Sequence, residues 1–396
     1  MWEYQGNIVE GILPAAGGQM RVAPDGVFYI FDPLTPARLE LMPRQGADPD
    51  TYKPQFTEAW MNDSEQRLNR RTVRVLGSRL NGPTEILFQE YGQNGFWWVS
   101  ADLSKIYVLV QWYDYTKNEP TNLFFWRSEN QGRTFTQVDL RAQKFGQGEA
   151  SGIYFDKQGV NGYILVDENL LWQTRDGGAN WQKRYIPYSG FDKLPFAGLS
   201  ADCAMVDLQG NLLFSLCKQN ETTGQLQSEI YEVPADNETI DLNPMPPKHI
   251  VQGKRILNMA PVPGEEGFYL TYLECGGAAQ CNWENELTTE NPALHFGWLQ
   301  ADEFKVNRAF NFTFLPVEEF YTGADGQVAA ILKMPNFIDS KWLLSRDYGN
   351  NWRIADITEQ EVISHYLDFG TQKYWQHRRG NEVYVTELPP VPVARG

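Results

Sequence analysis

Thr174-Arg175-Asp176-Gly177-Gly178-Ala179-Asn180-Trp181 is one of three copies of a short pattern; the others are Ser128-Glu129-Asn130-Gln131-Gly132-Arg133-Thr134-Phe135 and Ser345-Arg346-Asp347-Tyr348-Gly349-Asn350-Asn351-Trp352. Aligned, they read Ser/Thr-x-Asp/Asn-x-Gly-x-Thr/Asn-aromatic, and each type has a local reason. The hydroxyl and the carboxylate or amide oxygen bond nearby backbone N–H groups, and Gly takes a positive φ. The closing aromatic starts a strand and pins the turn to the sheet beneath. Apolar runs on both sides, such as Leu123-Phe124-Phe125-Trp126 and Trp342-Leu343-Leu344, read as strands. The unit is a hairpin with a self-capped tip.

This is the pattern of the Asp-box, or BNR repeat, and the chain resembles the Asp-box β-propellers: sialidases, sortilin-type receptors, photosystem assembly factors and bacterial binding proteins. In that resemblance the structural positions are Ser128, Asn130, Gly132 and Phe135; Thr174, Asp176, Gly178 and Trp181; and Ser345, Asp347, Gly349 and Trp352. It implies an all-β fold, a single propeller of four-stranded antiparallel blades. The copies start at residues 128, 174 and 345, intervals of one and about four repeats of the ~40–50 residues that make a blade. Reading strands between them, such as Gly210-Asn211-Leu212-Leu213-Phe214-Ser215-Leu216, gives blades over residues 7–45, 70–140, 150–190, 198–245, 252–308, 311–356 and 360–390. That is seven, with six or eight also compatible with the spacing. The strand near Trp2-Glu3-Tyr4-Gln5 is expected to pair with the last blade and close the ring, since an open propeller leaves edges unpaired. One domain then spans residues 1–390, and 391–396 read as a flexible tail.

Four cysteines fall into two local pairs. Cys203 and Cys217 would face each other across a hairpin centred on Gly210, and Cys275 and Cys281 bracket a Gly-rich loop. Two feasible disulfides point to an oxidising compartment, hence a periplasmic or secreted protein. The opening Met1-Trp2-Glu3-Tyr4-Gln5-Gly6 lacks a basic stretch followed by an apolar core, so it reads as a mature region. His249, His295, His365 and His377 are scattered; no Cys or His spacing matches a closed zinc site, and neither a metal nor a cofactor is expected. No segment is apolar enough to span a membrane.

The balance of 34 Lys plus Arg against 50 Asp plus Glu gives −16. Nucleic acid and anionic membranes demand a positive face, so the balance argues against both as partners. A basic protein partner is favoured, with association that weakens as salt rises. Sialidase chemistry is not supported. It needs an early Arg-Ile-Pro segment and convergent arginines to fork a substrate carboxylate. The nearest strings, Arg184-Tyr185-Ile186-Pro187 and Arg353-Ile354-Ala355, come late, and the arginines of Arg70-Arg71-Thr72-Val73-Arg74 alternate faces of a strand.

No catalytic residue is nominated. Two segments interrupt the repeat and are the candidate partner-binding sites. The first carries Asp48, Asp50, Tyr52, Phe56, Glu58 and Trp60; the second carries Trp283, Glu284 and Glu286. Aromatics among carboxylates on long loops are typical interface anchors. The leading reading is a non-catalytic, extracytoplasmic protein-binding propeller. In overall style it resembles bacterial immunity propellers, which implies occlusion of the active site of a basic or envelope-attacking effector. The alternatives are a glycoside hydrolase or lyase with carboxylates in the central mouth, and a glycan-binding lectin or assembly factor.

Overall fold

The structure, a computed structural model, describes residues 3–8, 19–36, 71–92, 94–112, 122–138, 140, 150–166, 170–185, 204–219, 226–236, 246–274, 293–310, 317–333, 339–358, 362–378 and 381–388. Its first strand, β1 (Glu3–Asn7), belongs to the last blade. Blade one is β2 (Gln19–Val22), β3 (Val27–Pro36), β4 (Arg71–Arg79) and β5 (Thr84–Tyr91); blade two is β6 (Asn94–Val99), β7 (Ile106–Trp112), β8 (Asn122–Ser128) and β9 (Thr136–Val138). Blade three is β10 (Ala150–Phe155), β11 (Gly162–Val166), β12 (Leu170–Thr174) and β13 (Gln182–Tyr185). Blade four is β14 (Ala204–Val206), β15 (Leu212–Gln219), β16 (Leu226–Val233) and β17 (His249–Gln252). Blade five is β18 (Lys254–Pro261), β19 (Phe268–Glu274), β20 (Leu294–Gln300) and β21 (Glu303–Ala309). Blade six is β22 (Val317–Thr322), β23 (Val328–Lys333), β24 (Asp339–Ser345) and β25 (Arg353–Thr358). Blade seven is β26 (Val362–Asp368), β27 (Lys373–Arg378) and β28 (Glu382–Glu387), completed by β1 on β28.

The described residues thus form a seven-bladed β-propeller in which every sheet is antiparallel and every element is a strand. First strands of neighbouring blades touch one another, β2 with β26, β6 with β10, β10 with β14, β14 with β18 and β18 with β22, so they are innermost. Antiparallel order then puts all first-to-second and third-to-fourth connections on one face, here termed the turn face. Second-to-third connections leave from the other. Second strands are covered by blades on both sides, and β11 reads as an unbroken apolar run with all five residues, Gly162-Tyr163-Ile164-Leu165-Val166, buried. Outer β21 alternates exposed and half-buried positions instead.

Two blade boundaries differ from the expectation. The first two blades meet between Tyr91 and Asn94, because β3 pairs directly with β4 from Val27↔Arg79 to Pro36↔Arg71. Residues 37–70 are therefore an insertion within blade one; in sequence a long insertion inside a blade looks the same as one between blades. Blade four runs on to Gln252, since His249 pairs with Ile230. The Cys203–Cys217 bridge is also corrected. The ladder Ala204↔Phe214, Met205↔Leu213, Val206↔Leu212 centres that hairpin on Gln209 rather than Gly210, and Cys217 faces Ser228 as a free thiol. Cys203, Cys275 and Cys281 lie outside the described residues, as do 391–396.

The three capped turns are third-to-fourth connections on blades two, three and six, with nearly identical geometry. In each, the hydroxyl accepts the Gly N–H at 2.9 Å: Ser128 from Gly132, Thr174 from Gly178, Ser345 from Gly349. The third-position oxygen accepts the backbone N–H four residues on, at 3.0 Å for Asn130, 2.8 Å for Asp176 and 2.9 Å for Asp347. The closing aromatics do more than hold their own turns. Phe135 packs on Phe88 of blade one, Trp181 edge-on to Phe125 of blade two, and Trp352 edge-on to Phe296 of blade five. Each fastens its blade to the preceding one.

Candidate functional site

A cleft of about 350 Å³ opens on the turn face between blades four and five. Its apolar lining is Met205, Leu213, Pro261, Phe268 and Leu299, drawn from β14, β15, β18, β19 and β20. Leu208, 48 % exposed at the tip of the β14–β15 turn, stands at the edge. The rim is acidic, with Asp207, Glu232, Glu265 and Glu266 against Lys248 and His249. Lys248 is ion-paired with Glu232, and His249 Nδ1 is bonded to Asp302 and edge-on to Phe268.

Local chemistry fixes this rim. Asp207 caps its own turn, accepting the N–H groups of Gln209 at 2.9 Å and Asn211 at 2.8 Å and the Asn211 amide at 2.9 Å. Asp156 does the same for Val160 and Asn161 on blade three. Glu265 and Glu266 ride the β18–β19 turn, exposed, and neither forms an ion pair among the described residues. Gly267 closes that turn at φ 105°, where a Cβ would meet the Leu299 carbonyl at 2.5 Å. The arrangement is an apolar floor under a net negative rim. It suits a basic segment with an apolar anchor.

The described lining of this cleft contains no sequence-nominated binding residue. Asp48, Asp50, Tyr52, Phe56, Glu58, Trp60, Trp283, Glu284 and Glu286 lie outside the described residues. The strand ends flanking them, Pro36 with Arg71 and Glu274 with Leu294, are both second-to-third connections, on the face opposite the turns. At the second of these ends a polar cluster forms: Lys254 reaches Glu274 at 2.7 Å, His295 lies 3.7 Å from Glu274, and Tyr272 stacks on His295. The Lys254 hydrogen bond holds Glu274 below its usual range, while burial lowers the His295 imidazole. Arg74 is buried against Asp32 at 2.5 Å inside blade one, a structural role.

Asp207 and Asp156 were legible as Asp-x-x-Gly turns, and a repeat of them, Asp156-Lys157-Gln158-Gly159 and Asp207-Leu208-Gln209-Gly210, is the signal that sequence reading missed. Among the described residues, no group of three or more His, Cys, Asp and Glu side chains converges as a metal site would. Among these residues no helix is long and apolar enough to cross a membrane.

The sequence matches no protein-family model and no curated protein. Among solved structures it is similar to the hydrazine synthase of Kuenenia stuttgartiensis, with TM-score 0.52 and 10 % identity over 96 % of this chain and 98 % of that one. It is also similar to YCF48 bound to D1 peptide, with TM-score 0.42 and 10 % identity over 81 % of this chain and 90 % of that one. A third is the GH74 xyloglucanase of Xanthomonas campestris, with TM-score 0.44 and 14 % identity over 98 % of this chain and 54 % of that one. At such identities the likeness is one of fold. The class, a β-propeller, rests on the seven four-stranded sheets themselves, and a fold of this kind does not by itself define a function.

Proposed function

We propose that this chain is a non-catalytic protein-recognition propeller that docks a basic, partly apolar segment of its partner in the cleft between blades four and five. The observation that carries this reading is the cleft itself, an apolar floor ringed by Asp207, Glu232, Glu265 and Glu266. The net charge of −16 adds long-range attraction for such a partner. We read the three capped turns as Asp-boxes, on their matching sequence and hydrogen bonds. In its sharper form the partner is a toxic effector whose active site is covered. The extracytoplasmic location then rests on Cys275 and Cys281 of the sequence, Cys217 being a free thiol.

The test is affinity capture of the partner from envelope and secreted fractions, followed by titration with wild type, E265K/E266K and a chain lacking residues 48–63. The double reversal should weaken binding by at least about tenfold at low salt and flatten the salt dependence. If the deletion abolished binding while the reversal left it unchanged, the opposite face would carry recognition. Turnover in a polysaccharide screen would replace this reading with a glycosidase or lyase.

A further inference from the structure

The innermost strands hold a second arrangement that the cleft does not use. Arg21 on β2, Trp97 on β6, Tyr366 on β26 and Tyr321 on β22 come from four different blades, each within the last three residues before the turn face. The Arg21 guanidinium carbon lies 6.0 Å from the Trp97 ring centroid and 5.4 Å from that of Tyr366. Nη1 donates to the Met20 carbonyl at 2.7 Å. Trp97 is itself fixed, donating from Nε1 to Gln19 at 2.5 Å and stacking on Phe31 at 5.1 Å. The Tyr321 ring is 6.5 Å from Tyr366, and its hydroxyl is buried without a hydrogen-bond partner among the described residues.

Arg21 is half-buried and forms no ion pair among the described residues. This contrasts with Arg74 and Arg79, each bonded to an aspartate, in a chain with 50 acidic side chains. The nearest turn acid on its own hairpin, Asp25, is taken by Arg79 at 3.0 Å. A guanidinium steadied between two rings, with Nε and Nη2 unclaimed by acceptors among the described residues, is a preorganised planar fork. Its complement is a carboxylate, bound through two parallel N–H···O bonds.

We infer that Arg21, walled by Trp97 and Tyr366, is a carboxylate-binding site at the turn-face mouth of the central channel. It stands on different residues from the cleft and does not depend on it. The test is calorimetric titration of the full chain with paired probes: an acetylated tripeptide as its free acid and as its amide, glucuronate against glucose, and inorganic phosphate. Wild type should bind one or both acids and neither neutral counterpart, and the pair that responds tells a peptide terminus from a uronate. R21Q should lose at least about tenfold in affinity, and R21K nearly as much, because the charge stays and the fork is lost. The proposal is overturned if acid and neutral forms bind alike, if neither binds, if phosphate binds as tightly, or if R21Q binds like wild type. Should R21Q fail to fold, wild-type crystals soaked with the acid decide: a carboxylate seated on Arg21 supports the site, and any other result overturns it.

Discussion

His377 on β27 is fully buried, with Nδ1 3.4 Å from the Ser364 hydroxyl. Burial pushes its imidazole down to about 4 from the ordinary 6.5. As pH falls from 6.5 the unfolded chain takes up a proton that the folded chain refuses, so stability declines until pH 4. The full loss is about 3 kcal/mol. Urea unfolding at pH 7 and near pH 4 should show this decline, and His377→Gln should remove most of that part of the slope. An unchanged slope in the variant would mean that other groups set the acid limit. In sequence His377 was one of four scattered histidines; only the packing of blade seven makes it a buried base. Cys217 behaves alike at the other end of the scale, its thiol pushed up to about 11 by burial, which leaves it protonated at neutral pH.

At the scale of one hairpin, the capped turns show how far local chemistry reaches. Their hydrogen bonds were readable from residue type and spacing, because donor and acceptor lie within four residues of each other. Their glycines carry two burdens that sequence does not separate. Gly178 has φ 79°, and a Cβ there would lie 2.3 Å from the Phe125 ring of blade two. Gly264, in the β18–β19 turn, has φ 80° with nothing within 4 Å of a Cβ. Gly264→Ala should therefore cost about 1 kcal/mol for the left-handed backbone alone. Gly178→Ala adds overpacking and should cost about 3 kcal/mol. Equal losses in denaturant titrations would show that the inter-blade contact contributes nothing. The aromatics that close the turns were expected to hold the sheet beneath. They grip the preceding blade, a contact between residues tens of positions apart.

The whole ring depends on such contacts between blades. Tyrosines near the start of several second strands span the joints: Tyr107 donates to Glu129 at 2.8 Å with its hydroxyl 3.0 Å from the Gly159 carbonyl, and Tyr163 donates to the Gly210 carbonyl at 2.8 Å. Tyr269 on β19 is equally buried, yet its hydroxyl finds no partner among the described residues. Tyr163→Phe should cost about 1–2 kcal/mol, because it strands a buried carbonyl, whereas Tyr269→Phe should be neutral or slightly stabilising. Comparable losses in both would place the energy in ring packing rather than in the hydrogen bond. Closure adds a further joint. β1 pairs with β28 while Asn7 exchanges hydrogen bonds with Asn81 of blade one, the Asn7 carbonyl accepting from the Asn81 N–H at 2.7 Å and the Asn7 N–H donating to the Asn81 side-chain oxygen at 3.1 Å. The first strand thus links the last blade to the first.

By itself the sequence determined the all-β architecture, the capped turns and the blade count to within one of seven, because strand alternation, turn chemistry and repeat length are properties of neighbouring residues. It also set the acidic balance. Only the tertiary structure decided where the first two blades divide, since strand pairing across residues 37–70 is a long-range choice. The same holds for the free Cys217, whose fate turned on where a hairpin is centred. The cleft and the Arg21 site were not legible for one physical reason: each is assembled from separate strands and turns that meet only when the ring closes.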